Sequence, residues 1–444
     1  MNTFLFLSIF SALGALYFIL GIRASKNVKT DRDYFVADGQ LGIWQITSNL
    51  IATQLGGGML LGTAASAYTS GYFGIFYTIG MALGFLLLAS GIASRLQQFK
   101  VTTTAQLFET QYKSPLLKKI ASVLSIITLF GILIAQVVGF KSLMVAVGFG
   151  SWYIALPLWL SVIAYTMIGG LRAITINDMV QLCIIIVTFV TIFIFTLLAK
   201  PASLFNASQE LFTSEPLTLA LMSSGILMPA LFSLIEQDLA QRFFASRSSF
   251  VATISAFNAA LFLLAFAFIP VYLGMQVKLM NIPVAQGANP LIIFLQYYTP
   301  EVLFAFALCA IVAAIISTAD ALMNGISANI TQDFQIGKFA NNSLMVSKYT
   351  TMIVGICALI GSYLVPQNII DIIISSYEIS VSCLLVPLLF CYFKKDVNKF
   401  AAYGAIACGL LGFIIFRIYP QPLPRELLAL GLSLIGYYIG GLFR

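Results

Sequence analysis

Long apolar runs recur along the whole sequence, and they restrict the fold more than any other feature. A helix that crosses a bilayer needs about 20 mostly apolar residues, and thirteen segments of the 444-residue chain meet that requirement. Their apolar residues are continuous rather than alternating, which excludes a transmembrane β-barrel. The sequence therefore predicts an all-α polytopic membrane protein. The predicted spans are 3–22, 41–68, 71–95, 117–148, 151–169, 176–199, 217–240, 249–275, 301–331, 347–365, 368–392, 398–417 and 425–442.

Composition supports this class and excludes others. The chain is 60% hydrophobic and 9% charged, whereas soluble domains carry about 25% charged residues. Soluble enzymes and nucleic-acid binders are therefore excluded. Histidine is absent, which removes imidazole bases and His-rich zinc sites. An intramembrane enzyme is disfavoured as well, because no paired-carboxylate or nucleophile motif is present.

The distribution of lysine and arginine predicts the orientation. If the N-terminus lies outside, 18 of the 23 basic residues fall in inner connections, Arg242 among them. Lys200, Lys278, Arg417 and Arg425 fall in outer connections, and Lys141 lies within a helix. Basic residues favour the cytoplasmic side. We expect a multi-pass protein of the cell (inner) membrane, with an outer N-terminus and a cytoplasmic C-terminus.

Two of the predicted helices contain helix-breaking residues. Gly56-Gly57-Gly58 lies in the second, and Gly225 and Pro229 interrupt the seventh. Interrupted helices at corresponding positions of two halves are typical of transporter binding sites. The halves would be helices two to six and seven to eleven, with inverted topology because each contains five helices. Close packing on a small-residue face is the alternative interpretation of the glycines.

Polar residues at membrane depth are costly and usually functional. In helix nine, Ser317, Thr318 and Asp320 lie beside the carbonyl of Ala314. Hard oxygen ligands suit a small cation, and the excess of neutral oxygens favours a monovalent ion. The alternative is that the hydroxyls donate hydrogen bonds to carbonyls one turn earlier in the helix.

Other polar residues have two interpretations each. Asp178 opens predicted helix six. One interpretation is that its charge interacts favourably with the helix dipole, and the other is that it binds an ion. Glu236 and Asp238 are expected to form ion pairs with Arg242 near the membrane interface. Further candidates are Gln54, Gln136 and Glu378.

Four motifs in order over residues 34–395 resemble those of the sodium:solute symporter family, which includes proline, sialic acid and sodium–sugar transporters. Ala52–Gly58 is similar to the family's broken first core helix, and Gly169–Ala173 with Asp178 and Gln181 is similar to its GG-(L/F)-x-A…D-x-x-Q stretch. Glu236–Arg242 resembles the (D/E)-Q-x-x-x-Q-R motif, and Ser317–Asp320 resembles the S-(S/T) sodium motif.

The resemblance implies a LeuT-like core of five-plus-five helices in inverted repeats. Residues 1–30 would form an extra N-terminal helix, 34–200 the first repeat, 217–395 the second repeat and 398–444 two C-terminal helices. It also implies Na⁺ as the coupling ion, bound by the carbonyls of Ala52, Leu55 and Ala314 and the hydroxyls of Ser317 and Thr318. A second cation site would use Asp178 and Asp320. The implied substrate-binding residues are Thr53, Gln54, Gly56, Met59 and Gln136.

The implied function is sodium-coupled import of a small organic solute by alternating access. A sugar is disfavoured, because Gly58 and Met59 replace the polar pair of the sugar cotransporters. Gln54 replaces the aspartate of the proline symporter. An amino acid or small organic acid is favoured, since backbone amides at a helix break can hold a carboxylate. A proton-coupled symporter, or a membrane sensor acting through a separate protein, is the alternative. The expected partners are the solute, Na⁺ and the lipid bilayer, with no nucleic acid; the sequence specifies no oligomeric state.

Overall fold

The structure is a computed structural model that describes residues 3–26, 28–149, 152–199, 218–285, 287–336, 343–365, 368–394, 396–419 and 421–443. These residues are helical apart from turns, short connections and one isolated bridge between Leu41 and Ser246. The boundaries predicted for the two repeats at 200 and 217 lie outside this part of the chain. The long helices are α1 (Thr3–Ser25), α2a (Ile43–Gln54), α2b (58–70), α3 (76–99), α4 (Pro115–Ala146), α5 and α6 (the two arms, 152–169 and 171–199, of Trp152–Ala199), α7a (219–233), α7b (Gln237–Ala245), α8 (Ser249–Leu279), α9 (Glu301–Ala328, continued by Asn329–Asp333), α10 (Ser343–Gly361), α11 (Ile369–Phe393), α12 (Lys399–Ile418) and α13 (Arg425–Gly440).

The helices of the described residues agree with the predicted number of spans. Nine segments are long and apolar enough to cross a membrane. Two of them, Gly58–Phe99 and Leu156–Leu198, exceed 40 residues. The second divides at Gly170 into α5 and α6. The first contains α2b, which completes the crossing that α2a begins, and the separate crossing α3. The broken α7 and the 16-residue α13 bring the number of crossings to thirteen. A short helix, Pro290–Tyr298, lies in the connection between α8 and α9.

The connection between α5 and α6 differs from the prediction. The predicted spans 151–169 and 176–199 leave residues 170–175 as a loop, but the helix resumes directly after Gly170. Gly170 has a positive φ of 56°, and a Cβ at this position would collide with Tyr34. A glycine therefore makes the sharp bend in a single residue. The apolar residues that follow extend α6 toward its N-terminus.

The break in α2 falls where the sequence predicts it, whereas the break in α7 does not. The backbone leaves the helix at Leu55 and Gly56, and the helix resumes in the π-helical turn Gly58–Gly62. In α7, Pro229 lies at the start of a helical segment preceded by another π-helical turn, Ser223–Leu227. A turn of this kind changes the local hydrogen-bond pattern of the helix, so the N–H group that proline lacks is not required there. The interruption predicted at Gly225 and Pro229 is therefore only a local π-helical turn that contains Gly225, and the chain leaves the helix later, at 234–236.

Helix α9 lies at the centre of the molecule. In its most apolar window 83% of the residues are buried, compared with 17% for α1. It contacts α1, α2a, α4, α5, α6 and α10, while α12 and α13 pair with each other against α11. This arrangement places the middle of α9 beside the break in α2.

Candidate ion and substrate sites

The break in α2 is closed by direct contact with α9 and α4. Gly56 approaches so closely that a Cβ would lie 2.9 Å from the Gln136 Oε1 and would overlap the Thr318 hydroxyl. The neighbouring Gly57 N–H donates to the Gln136 Oε1 at 2.8 Å. Glycine is therefore required here by the close approach of three helices.

Neutral oxygens from α2a and α9 meet at this break. The Ser317 hydroxyl donates to the carbonyls of Ala52 and Ala314, both at 2.9 Å. The Thr318 hydroxyl donates to the carbonyl of Thr53 at 2.6 Å and to that of Ala314 at 3.2 Å. Four of the five predicted sodium ligands, Ala52, Ala314, Ser317 and Thr318, thus lie together. The fifth, Leu55, is fully buried where α2a ends.

A second polar cluster lies near Asp320, further along α9. The Asp320 carboxylate accepts hydrogen bonds from the Tyr165 hydroxyl and from the Thr166 hydroxyl, the latter at 2.7 Å. Asp178 is fully buried, and neither of its carboxylate oxygens has a hydrogen-bond partner among the described residues. Asp178 lies within electrostatic range of Asp320 and Arg242. The two predicted second-site residues are therefore neighbours.

The location of Asp178 corrects one interpretation of it. Because α6 begins immediately after Gly170, Asp178 lies about two turns inside the helix and does not open it. Interaction with a helix N-terminal dipole fades within the first turn. The helix-dipole interpretation is therefore wrong, and the carboxyl group has no hydrogen-bond partner among the described residues that would explain its burial.

All five predicted substrate-binding residues, Thr53, Gln54, Gly56, Met59 and Gln136, line one cavity beside the α2 break. Its volume is about 20 Å³, enough for about one water molecule, so this conformation holds the cavity closed around less space than a solute needs. The other lining residues are Gly58, Tyr77, Ile132, Glu236, Thr318, Ile373 and Tyr377.

Aromatic side chains cover part of this cavity, and sequence reasoning missed them. The Tyr77 and Tyr377 hydroxyls lie 3.0 Å apart, and the Tyr377 ring stacks on Phe232 with centroids 4.1 Å apart. Tyrosine is common in apolar helices, so no local pattern marks these positions. Only the packing of α3 and α11 against α2 brings them together.

The family model described as "Sodium:solute symporter family" matches residues 34–412. This chain belongs to the sodium:solute symporter family. Its helical fold is the LeuT-like fold, and sodium-coupled secondary transport is the activity of the family. Na⁺ is accordingly a coupling ion rather than a resident cofactor, and the protein is a transporter rather than an enzyme.

Solved structures support the fold. A Na⁺-coupled sialic acid symporter in a substrate-bound outward-open state matches with a TM-score of 0.81 and 18% identity, over 99% of this chain and 98% of that chain. Mhp1, a nucleobase-cation-symport-1 family transporter, matches in a closed conformation with bromovinylhydantoin bound, with a TM-score of 0.61 and 12% identity, over 92% of this chain and 94% of that chain. The inward-facing conformation of Mhp1 matches with a TM-score of 0.56 and 11% identity, over 91% of both chains.

Arg242 in this symporter differs from the prediction. It is fully buried and donates to the Asn49 side chain, to the Thr53 hydroxyl at 3.0 Å and to the Asp238 carbonyl. Within the described residues it forms no direct ion pair with Glu236 or Asp238. The expected interfacial ion pair is therefore wrong, and Arg242 cannot be counted among the inner-loop charges. It joins α7b to α2a because it has donors enough for both helices.

Two other motif residues have structural roles. The Gln237 amide oxygen accepts from the Thr104 N–H at 2.6 Å and from the Thr104 hydroxyl at 2.9 Å, so it anchors the segment before residues 105–112. Arg172 pairs with Asp33 at 3.3 Å. Parts of the family motifs therefore hold the α7 break and the α5–α6 bend in place.

Glu378, a further candidate, lies outside the cavity. Its carboxylate pairs with Arg425 at 2.6 Å and with Arg417 at 3.6 Å. These arginines end α12 and begin α13. Glu378 thus links α11 to the C-terminal helix pair, while its neighbour Tyr377 faces the cavity.

Proposed function

We propose that this symporter imports a small organic solute, an amino acid or a small organic acid, together with Na⁺ by alternating access. The oxygen cluster between the α2 break and α9 carries this proposal. It combines backbone carbonyls and hydroxyls at membrane depth, beside a closed cavity on the same broken helix. A cation bound there would act directly on the shape of the cavity.

The proposed sodium site consists of Ala52, Leu55, Ala314, Ser317 and Thr318. Hydroxyl protons bridge the two helices in this structure, with Ser317 to Ala52 at 2.9 Å. If a cation bound there, the hydroxyls would rotate, keep their protons and coordinate the ion through their oxygen lone pairs, together with the carbonyl oxygens. Irregular backbone at membrane depth is stable only where it lines a cavity or is buried in protein. Na⁺ would therefore fix α2a against α9 and order the cavity.

Asp178 and Asp320 form the proposed second cation site. Both are fully buried, and a buried carboxylate requires a counter-charge. The Tyr165 and Thr166 hydroxyls donate to the Asp320 carboxylate and so hold it in the proposed second cation site. A proton at the same carboxylates is the second candidate for the coupling ion.

The substrate would bind at Thr53, Gln54, Gly56, Met59 and Gln136. The amide oxygen of Gln136 occupies the Gly57 N–H, a donor that a solute carboxylate would accept from after Gln136 moves aside. Such amides at the start of a helix favour anions. The absence of a polar pair at Gly58 and Met59 disfavours a sugar.

Coupling then follows from reciprocity. Na⁺ entry supplies about 2.3 kcal/mol per charge per 100 mV, together with its concentration gradient. The solute must increase the affinity for Na⁺ by the same factor as Na⁺ increases the affinity for the solute. The repeats 34–200 and 217–395 would move relative to each other, with the N-terminus outside and the C-terminus in the cytoplasm.

Substitution of the two hydroxyls tests the sodium site. In proteoliposomes, Ser317→Ala with Thr318→Ala should raise the Na⁺ concentration for half-maximal uptake at least tenfold, because two of five ligands are lost. Ser327→Ala is the matched control, since Ser327 lies on α9 but donates to the Ser347 carbonyl. Unchanged Na⁺ dependence in the double variant would exclude the assignment. Solute binding without flux would favour a sensor.

A further inference from the structure

Buried charges around the two helix breaks do not balance. Asp178, Glu236, Asp238 and Asp320 are at most 6% exposed, and Arg242 is fully buried. Arg242 is in electrostatic range of all four acids. Isolated charges at membrane depth are costly, and one guanidinium can balance only one of four carboxylates. Each of the remaining three must either keep a proton or lie beside a cation from outside the protein chain.

The two pairs of acids lie in different places. The proposed second cation site accounts for Asp178 and Asp320, which lie near Tyr165. Glu236 instead lines the substrate cavity, with Asp238 as its neighbour. No lysine or arginine of the described residues forms an ion pair with Glu236, and the Gln54 amide donates to it at 3.3 Å.

The rest of the cavity suits a cationic group next to Glu236. The hydroxyls of Tyr77 and Tyr377 are available as acceptors, and tyrosine rings attract ammonium groups. The Gly57 N–H is a hydrogen-bond donor in the same site, and a donor suits an anionic group of the solute. A solute with one cationic and one anionic end would match both.

We propose that the transported solute carries a protonated amine and that Glu236 is the specificity-determining residue that binds it. This inference rests on the proposed function and narrows it. A zwitterionic amino acid satisfies both ends of the cavity, whereas a purely anionic organic acid would place its charge near a buried carboxylate. The ammonium donates to Glu236 in place of Gln54 and supplies one of the three missing positive charges.

Matched pairs of solutes test the proposal on the full chain. The melting temperature of the purified protein is measured in Na⁺ and in choline with L-proline and tetrahydrofuran-2-carboxylate, L-alanine and L-lactate, and putrescine and 1,4-butanediol. Each pair differs in the presence of an amine. In Na⁺, stabilisation is expected from an amine-bearing member and not from its partner, because a ligand that binds the native state raises its stability.

The same solutes are then measured in Na⁺-driven uptake by proteoliposomes. Glu236→Gln should raise KM for the amine-bearing solute at least tenfold and reduce its preference over the matched partner, while Na⁺ still shifts the melting temperature of the variant. A melting temperature that still responds to Na⁺ shows that the variant is folded, so a raised KM then reports weaker recognition of the solute. Glu301→Gln changes an exposed glutamate at the start of α9 and should alter neither quantity.

The outcomes separate the inference from the proposed function. Na⁺-driven uptake of solutes without an amine, unaffected by Glu236→Gln, would overturn the inference and leave sodium symport intact. A melting temperature that no amine-bearing solute raises in Na⁺ would also overturn it. Uptake of an amine-bearing solute that is indifferent to Na⁺ would overturn the proposed coupling while leaving amine recognition in place.

Discussion

The two helix breaks of this symporter are built from different chemistry. The α2 break consists of glycines, carbonyls and an amide donor, and it contacts hydroxyls on α9. The α7 break, at 234–236, has no glycine, contains Glu236 and lies beside Asp238 and Arg242. The first break presents backbone groups without formal charge, and the second presents charged side chains. The two breaks therefore offer a ligand different chemistry, although both interrupt a membrane helix.

The largest effect is expected from removing Arg242, the buried cation that contacts both α2a and α7b. Arg242 bonds to both breaks, through Asn49 and Thr53 on α2a and the Asp238 carbonyl on α7b. Arg242→Gln should destabilise the protein by about 3–5 kcal/mol, the usual cost of leaving buried charges uncompensated. The measurement is thermal unfolding in detergent. Arg247→Gln, at an exposed position, serves as the control, and equal melting temperatures for the two variants would refute a central role for Arg242.

A smaller effect is expected when only the neutral break is changed. Gly56→Ala adds a methyl group against Thr318 and Gln136, and overpacking of this kind costs about 1–3 kcal/mol. Because the break itself must shift, uptake should fall at least tenfold with the protein still folded. Gly14→Ala is the control, since nothing lies within 4 Å of a Cβ at that position. Equal uptake by the two variants would show that the close approach at Gly56 is dispensable.

The smallest effect should come from the acids beside α9. Asp320→Asn keeps an oxygen that can accept from Thr166 but removes a charge, so the fold and the α2 break should persist. We expect Na⁺ activation of uptake to require a few-fold higher concentration and to become less cooperative, and the same for Asp178→Asn. Asp396→Asn, in an exposed connection, should have no effect. Unaltered Na⁺ activation in both α6 and α9 variants would remove the second cation site.

Sequence patterns predicted the α2 break because three adjacent glycines weaken a helix locally, whatever surrounds them. The same reasoning failed at Pro229, since a π-helical turn upstream absorbed the proline. It also failed at Arg242: a basic residue near the end of an apolar run resembles an interfacial charge, and only the packed structure reveals its buried partners. Tyr77 and Tyr377 were missed for a related reason, because they are 300 residues apart and meet only across helices.

The sequence by itself determined the helical membrane class, the spans and the oxygen-rich segment of α9, because apolar length and local helix stability are properties of consecutive residues. Tertiary structure alone decided where α7 breaks, that Asp178 and Asp320 are neighbours, and that Glu236 shares a cavity with the α2 break. Those facts depend on which helix faces meet, and the contacts that stabilise them join residues far apart in the chain. Within a bilayer a polar group must find its partner inside the protein, and this packing supplies such partners.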